Sequence, residues 1–372
     1  MKNVSKLLEK KNQHSLLCPF CKEIITFELT TEEIEKRLQG GLAAIKLQSH
    51  GAPPHSLTIY LDKEGKIRGA YPEIEKVEQK INRQFNYIID ASCEISPKEA
   101  EVLGIEVLPY HVVINGKERK AYNEEIFFAD VFNLLNSNKK IGSDPVSVEA
   151  FLRSYQKLDK NKPTIVLTMS RKYSEGNNNA LKAKKMIGKE EPTFAQNIRI
   201  LNSKSVGPVL KFMLKTILEM DEKGQTLEEI IEYINLVSNK HRSYVYLDTL
   251  RYLRKSNRIS GPAAFFGNLL GIKPIIIENL ECQGDLHSVK NVRSKEEGMN
   301  EIIALIKKQF RGQELAGIVF QGTSEEEAQQ FRELLKAELA INEKDFPIDF
   351  IGTAIGMHMG FECLGVALFP KK

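Results

Sequence analysis

From Tyr87 to Asn239 short apolar runs alternate with longer stretches in which apolar residues return every third or fourth position. The runs Tyr87–Ile89, Thr164–Met169 and Ile198–Leu201 read as buried strands. Ser96-Pro97-Lys98-Glu99 opens a helix, with a serine cap, proline at the first helical position and a glutamate three residues after the cap; Gly104 closes it. Val107–Ile114 reads as one strand running into an Asn115-Gly116 turn. Helices are expected from about Asn177 to Met186, from Val209 to Met220, and from Thr226, which forms a capping box with Glu229, to Asn239. Strand–loop–helix alternation of this kind predicts a parallel α/β sheet with its ligand at the carboxyl ends of the strands.

After about residue 240 the order changes. Tyr244–Leu247, Pro274–Ile277, Gly317–Phe320 and Val366–Phe369 are strand candidates, and Ser294–Gln309 and Ser324–Leu339 are helix candidates. Before residue 85 the pattern differs again. Cys18-Pro19-Phe20-Cys21 is followed by a charged helical run from Thr31 to Leu38, Gly40-Gly41, a loop from His50 to His55, a strand Ser56–Leu61, a turn Asp62–Gly65 and the stretch Ile67–Ala70. Apolar positions there look too few for a large core, and a metal clip would compensate. The expected fold class is α/β: a parallel-sheet first lobe over 85–240, a mixed α/β second lobe over 241–372, and a small module over 1–84 in front.

A chain of 372 residues is too long for one ordinary core, and 42% hydrophobic with 27% charged residues is a soluble globular balance. The net charge of +4, from 53 basic and 49 acidic side chains, provides no electrostatic footprint for nucleic acid. No apolar run approaches the ~20 residues that span a bilayer, so membrane insertion is not expected. The basic, polar N-terminus lacks a signal-peptide core, which makes the cytoplasm the expected location. Five cysteines, odd in number and scattered, do not form a disulfide framework, and Cys363 reads as a small buried hydrophobe. The chain has no P-loop, no nucleophile elbow and no dinucleotide fingerprint, which favours a binding protein over a catalyst.

Cys18 and Cys21 have the spacing of a metal knuckle, and zinc is the expected ion. His55 and then His50 are the expected partners, with His14 in reserve. The stretch is similar to a zinc ribbon, although Pro53 stands where such modules often carry a cysteine. Redox use of the Cys pair ranks lower because no thioredoxin-like strand precedes it.

A series of local motifs runs in order through the rest. They include Asp90-Ala-Ser-Cys-Glu94, Gly142-Ser-Asp-Pro145, Ser170-Arg-Lys-Tyr-Ser-Glu-Gly176, Asn202-Ser-Lys-Ser-Val206, the run from Asp248 to Ser260, Gly271-Ile-Lys-Pro274 and Ile355-Gly-Met-His-Met-Gly360. In this series the chain resembles the DegV family from residue 85 to residue 372. The resemblance implies a two-lobed fold that buries one long-chain fatty acid, with the carboxyl group where the lobes meet. It implies head-group contacts from Ser143, Ser174, Arg258 and His358. Some members hand the acid to a separate fatty-acid kinase, so the resemblance implies a carrier. Burying ~14 methylenes gains about 11 kcal/mol gross, but the carboxylate must be hydrogen-bonded. A regulatory or scaffolding protein that senses another metabolite or lipid, docking a partner through its front module, is the alternative.

The loops depart from the family pattern in one consistent way. Asp144, Glu175 and Glu362 each stand where the family usually has an uncharged residue, and like charges oppose a bound carboxylate. Asp144, on a proline-containing loop, is expected to point away. Glu175, directly after Ser174, is expected to face the head group. Were the acids all to face inward, the ligand would be a neutral lipid, a cationic head group or a metal held by His358.

Overall fold

Residues 11–21, 23–52, 54–74, 81–256, 273–279, 285–322 and 324–371 are described by the computed structural model. The chain falls into two units, Met1–Lys76 and Val77–Lys372.

In the first unit β1 (Lys11–Leu17) and β2 (Ile24–Thr30) form an antiparallel hairpin whose turn holds both knuckle cysteines. The helix α1 (Thr31–Arg37) starts at a capping box between Thr30 and Glu33. A second antiparallel sheet follows in sequence order: β3 (Leu38–Gln39), β4 (Leu42–His50), β5 (His55–Asp62) and β6 (Ile67–Ile74). The polar–apolar alternation of Leu42–His50, not anticipated as a strand, buries Leu42, Ile45 and Leu47. Asp62 makes the predicted turn by accepting from the amides of Glu64 at 2.9 Å and Lys66 at 3.0 Å, and it pairs with buried Arg68 at 2.7 Å. Nearly all of β5 is buried, so this unit has more core than its composition implied.

The second unit begins with β7 (Asn86–Asp90), α2 (Pro97–Leu103) and β8 (Glu106–Leu108). Ser96 caps α2 through the amide of Glu99, and Gly104 closes it in the left-handed region, as expected. The stretch Val107–Ile114 is not one strand. Pro109 lacks the N–H that a ladder needs, and the chain breaks there into β8 and β9 (His111–Ile114), which enter different sheets. With β10 (Glu118–Ala121) and β11 (Ile141–Asp144), β9 forms a three-stranded antiparallel sheet; α3 (Phe128–Leu135) lies between β10 and β11 in sequence.

Next come α4 (Val148–Lys157), β12 (Thr164–Thr168), α5 (Gly176–Glu190), α6 (Pro192–Gln196) and β13 (Ile198–Asn202). The expected parallel sheet is present, in the order β13-β12-β7-β8. The chain leaves β7 toward one edge and β12 toward the other, so the loops after these neighbouring strands diverge and open a crevice. Their side chains alternate between two cores. Ile88 and Val166 face one, and Tyr87, Ile89, Ile165 and Leu167 face the other.

The helices α7 (Pro208–Glu222) and α8 (Leu227–Lys240) share that second core with Phe369, which belongs to a mixed six-stranded sheet. That sheet has the order β16-β15-β14-β19-β17-β18. Its strands are β14 (Arg242–Leu247), β15 (Lys273–Asn279), β16 (Asp285–Val292), β17 (Leu315–Gln321), β18 (Ile348–Phe350) and β19 (Cys363–Pro370). A short α9 (Arg251–Lys255) follows β14; α10 (Lys295–Gln309) and α11 (Glu325–Leu339) cover the outer face of the sheet. A seven-residue helix, α12 (Thr353–Met359), leaves this sheet and inserts Ala354 and Met357 into the core that holds Ile88 and Val166. Among the described residues no helix is long and apolar enough to cross a membrane.

Candidate functional site

Ser143, Ser174 and His358 all line one cavity of about 450 Å³. It opens at the carboxyl ends of the parallel strands. Its walls come from the loop after β12, the end of β11, the start of α7, the helix α12 and the face of the six-stranded sheet. Met169, Val206, Val245, Leu253, Phe320 and Ile355 supply much of its apolar lining.

His358 reaches the cavity because α12 is anchored at its start. The amide of Ala354 donates to Glu94 Oε1 at 3.1 Å, Tyr122 Oη donates to Glu94 Oε2 at 2.6 Å, and Thr353 Oγ1 donates to Tyr122 at 2.7 Å. Gly352 is needed at this join, since any Cβ there would overlap the Glu94 carboxyl group. Burial pushes the Glu94 carboxyl up to about 7, against the opposing pull of its hydrogen bonds and Lys211. At the far end of α12, His358 Nε2 lies 3.2 Å from Ser143 Oγ on β11.

Ser174 sits in a tight turn. Its amide donates to Ser170 at 3.1 Å, and its hydroxyl oxygen accepts from the amide of Gly176, the first residue of α5, at 3.1 Å. The hydroxyl proton therefore remains available to an acceptor. The preceding strand ends are tied by Asp90, which accepts from the amide of Met169 at 2.8 Å and from Ser92, and whose carboxyl is pushed up by burial. Arg258 lies outside the described residues.

The three acids take different positions. Asp144 lines the cavity edge but pairs outward with Arg119 at 2.6 Å. Glu175 is exposed at the rim, where its carboxylate accepts from Asn178 at 2.8 Å. Glu362 is exposed and not part of the lining. A different acid, Glu278 on β15, is buried in the cavity wall with Tyr173, Ser205 and Ser243 hydrogen-bonded to it. Nothing in the pattern of the Pro274–Ile277 strand marked it, because its partners come from distant segments. Arg171 and Lys172 at the rim were also not singled out by sequence.

In the first unit, Cys18, Cys21, His50 and His55 converge, with their ligand atoms all within 4.8 Å of one another. The β1–β2 turn supplies the cysteines. The register of β4 and β5 places His50 opposite His55. Cys18 Sγ lies 3.3 Å from His55 Nε2. His50 Nδ1 donates to the carbonyl of Gln48 at 3.1 Å, which leaves its buried Nε2 without a hydrogen-bond partner among the described residues. A tetrahedral zinc ion, with bonds of ~2.0 to 2.3 Å, needs nitrogen and sulfur donors about 3–4 Å apart. The donor set and the unpartnered nitrogen fit such an ion. His14 is not in this cluster; its ring stacks on Phe27 at 5.2 Å.

Residues 84–371 match the model of a family described as "Uncharacterised protein, DegV family". A DegV domain-containing protein of Clostridium perfringens is 23% identical over 284 residues, which is 76% of this chain and 96% of that one. Among solved structures, a stearic acid-binding protein from Eubacterium ventriosum superposes with a TM-score of 0.67 at 20% identity, over 77% of this chain and 98% of that one. A fatty-acid-binding DegV family protein from Thermus thermophilus superposes with a TM-score of 0.66 at 21% identity, over 78% and 100% respectively. Both share the fold of the second unit.

Proposed function

This chain belongs to the DegV family, and on that premise we propose that it is a lipid carrier that binds one long-chain fatty acid in the cavity beside α12. The observation that carries this reading is the Ser143–His358 pair at the edge of a largely apolar cavity. The acyl chain lies along the apolar wall, and the carboxylate accepts hydrogen bonds from Ser143, Ser174 and His358, with Arg258 as a further partner. The related proteins described as fatty-acid-binding support the same reading. The protein acts in the cytoplasm as a binder and presents the carboxyl group to a separate fatty-acid kinase. In this reading the chain is a front module over 1–84 followed by two lobes over 85–240 and 241–372.

The front module holds one structural zinc ion through Cys18, Cys21, His50 and His55, as a zinc-ribbon-like clip. When bound, the ion supplies cross-links between the two hairpins and no chemistry at the cavity.

Lipid extraction and mass spectrometry of the purified protein, with palmitate calorimetry, test the carrier. A clean ligand-free spectrum together with no heat of binding would overturn it. Metal analysis of a Cys18→Ser, Cys21→Ser variant tests the clip, and unchanged zinc content would place the metal elsewhere.

A further inference from the structure

The wall of the cavity also carries a polar cluster that a plain acyl chain does not use. Glu278 is 4% exposed and sits in β15 after three isoleucines. Its Oε2 takes three contacts: Ser243 Oγ at 3.0 Å, Ser205 Oγ at 3.2 Å and His241 Nε2 at 3.2 Å. Its Oε1 accepts from Tyr173 at 2.8 Å, the one hydrogen bond to that atom among the described residues. A carboxyl oxygen has room for about two donors. Oε2 is full, and Oε1 keeps one acceptor position. Glu278, Tyr173, Ser205 and Ser243 all line the cavity.

The charge of this cluster follows from hydrogen-bond chemistry. His241 is fully buried, and its Nδ1 lies 2.9 Å from the carbonyl oxygen of Val237. A carbonyl has no proton to give, so Nδ1 carries one. Nε2 then meets Glu278 Oε2 across a further shared proton. Whichever atom holds it, the His241–Glu278 pair is neutral overall. A neutral pair neither recruits an ammonium group nor repels a distant carboxylate. Its vacant acceptor position suits an uncharged donor, and a hydroxyl is the smallest that a lipid chain carries.

We propose that the fatty acid selected by this cavity bears a hydroxyl group along its chain, which donates to Glu278 Oε1. This rests on the carrier reading above and names its ligand class. A site that hydrogen-bonds a ligand hydroxyl discriminates against the analogue that lacks it, because the buried acceptor is then left unpaired.

The test is calorimetry on the full chain with stearate and with hydroxystearates whose hydroxyl is moved stepwise along the chain. At least one positional isomer is expected to bind about tenfold tighter than stearate. Glu278→Leu should close that gap to within about threefold, weakening the hydroxylated lipid and strengthening stearate. Stearate binding as tightly as every isomer to the wild-type protein would overturn the proposal and leave the carrier reading standing. Binding of neither lipid class would overturn both. The wild-type ranking decides even if Glu278→Leu fails to fold.

Discussion

Glu94 and Ala354 are joined by a hydrogen bond of 3.1 Å, from the amide that begins the helix carrying His358 to a buried carboxyl oxygen on the loop after β7. The motif after β7 thus holds in place a cavity-lining helix that the chain supplies about 260 positions later.

That carboxyl makes stability depend on pH. Burial raises it from an ordinary 4.5 to about 7, so the folded state favours the protonated form. Its contribution is fully present below about pH 4.5 and is lost as pH rises through 7. At ~1.4 kcal/mol per unit, the loss is on the order of 3 kcal/mol. Urea unfolding across this range should show the decline in the wild-type protein and a flatter profile in Glu94→Gln. Identical profiles would remove Glu94 as the source.

Ser143 and His358 should act together on the ligand. Ser143→Ala and His358→Ala are each expected to weaken palmitate binding by about ten- to 150-fold, as for a lost hydrogen bond to a charged group. The double variant should fall short of the product, with a coupling of at least about 0.5 kcal/mol. Strict additivity in calorimetry would show that the 3.2 Å contact is incidental to binding.

Much of this architecture was legible because local chemistry decided it. Ser96 and Thr226 sit at helix starts, where their side chains satisfy free amides, and the structure uses both. The C-P-F-C spacing likewise anticipated a cluster with His50 and His55. What was missed depends on the tertiary structure. Pro109 splits an apolar run whose two halves pair with different strands. The stretch Gly352–Gly360 does not read as a helix from sequence: it is rich in glycine, and its start is capped by Glu94, from a remote loop, in place of a local side chain. Glu278 reads as the end of an apolar strand, because its partners reach it from three distant places: Tyr173 after β12, Ser205 after β13, and His241 with Ser243 at the start of β14.

The rim acid offers a direct check of the sequence expectation that Glu175 faces the head group. Its side chain is exposed and bonded to Asn178, so water screens it from the cavity. Glu175→Gly should change palmitate affinity by less than about tenfold. A larger gain would mean that the carboxylate turns inward when lipid is bound.

Gly51 is expected to be irreplaceable in the front module. Its φ of +72° is left-handed, and a Cβ would lie 2.6 Å from His55 Cε1 and 3.0 Å from Cys21 Sγ. Gly51→Ala should cost ~1–2 kcal/mol from the backbone alone and displace two of the four clustered side chains. Metal content and thermal unfolding would measure both effects, and full zinc retention with an unchanged melting point would contradict this.

The helix α12 also bears on the order of synthesis. Ala354 and Met357 complete the core formed by Ile88, Val112 and Val166, yet the ribosome delivers them after the whole of α10 and α11. At roughly 5–20 residues per second, the earlier strands wait for ten seconds or more with that side unsealed. Over that interval the nascent chain carries an apolar surface that is a natural station for a chaperone.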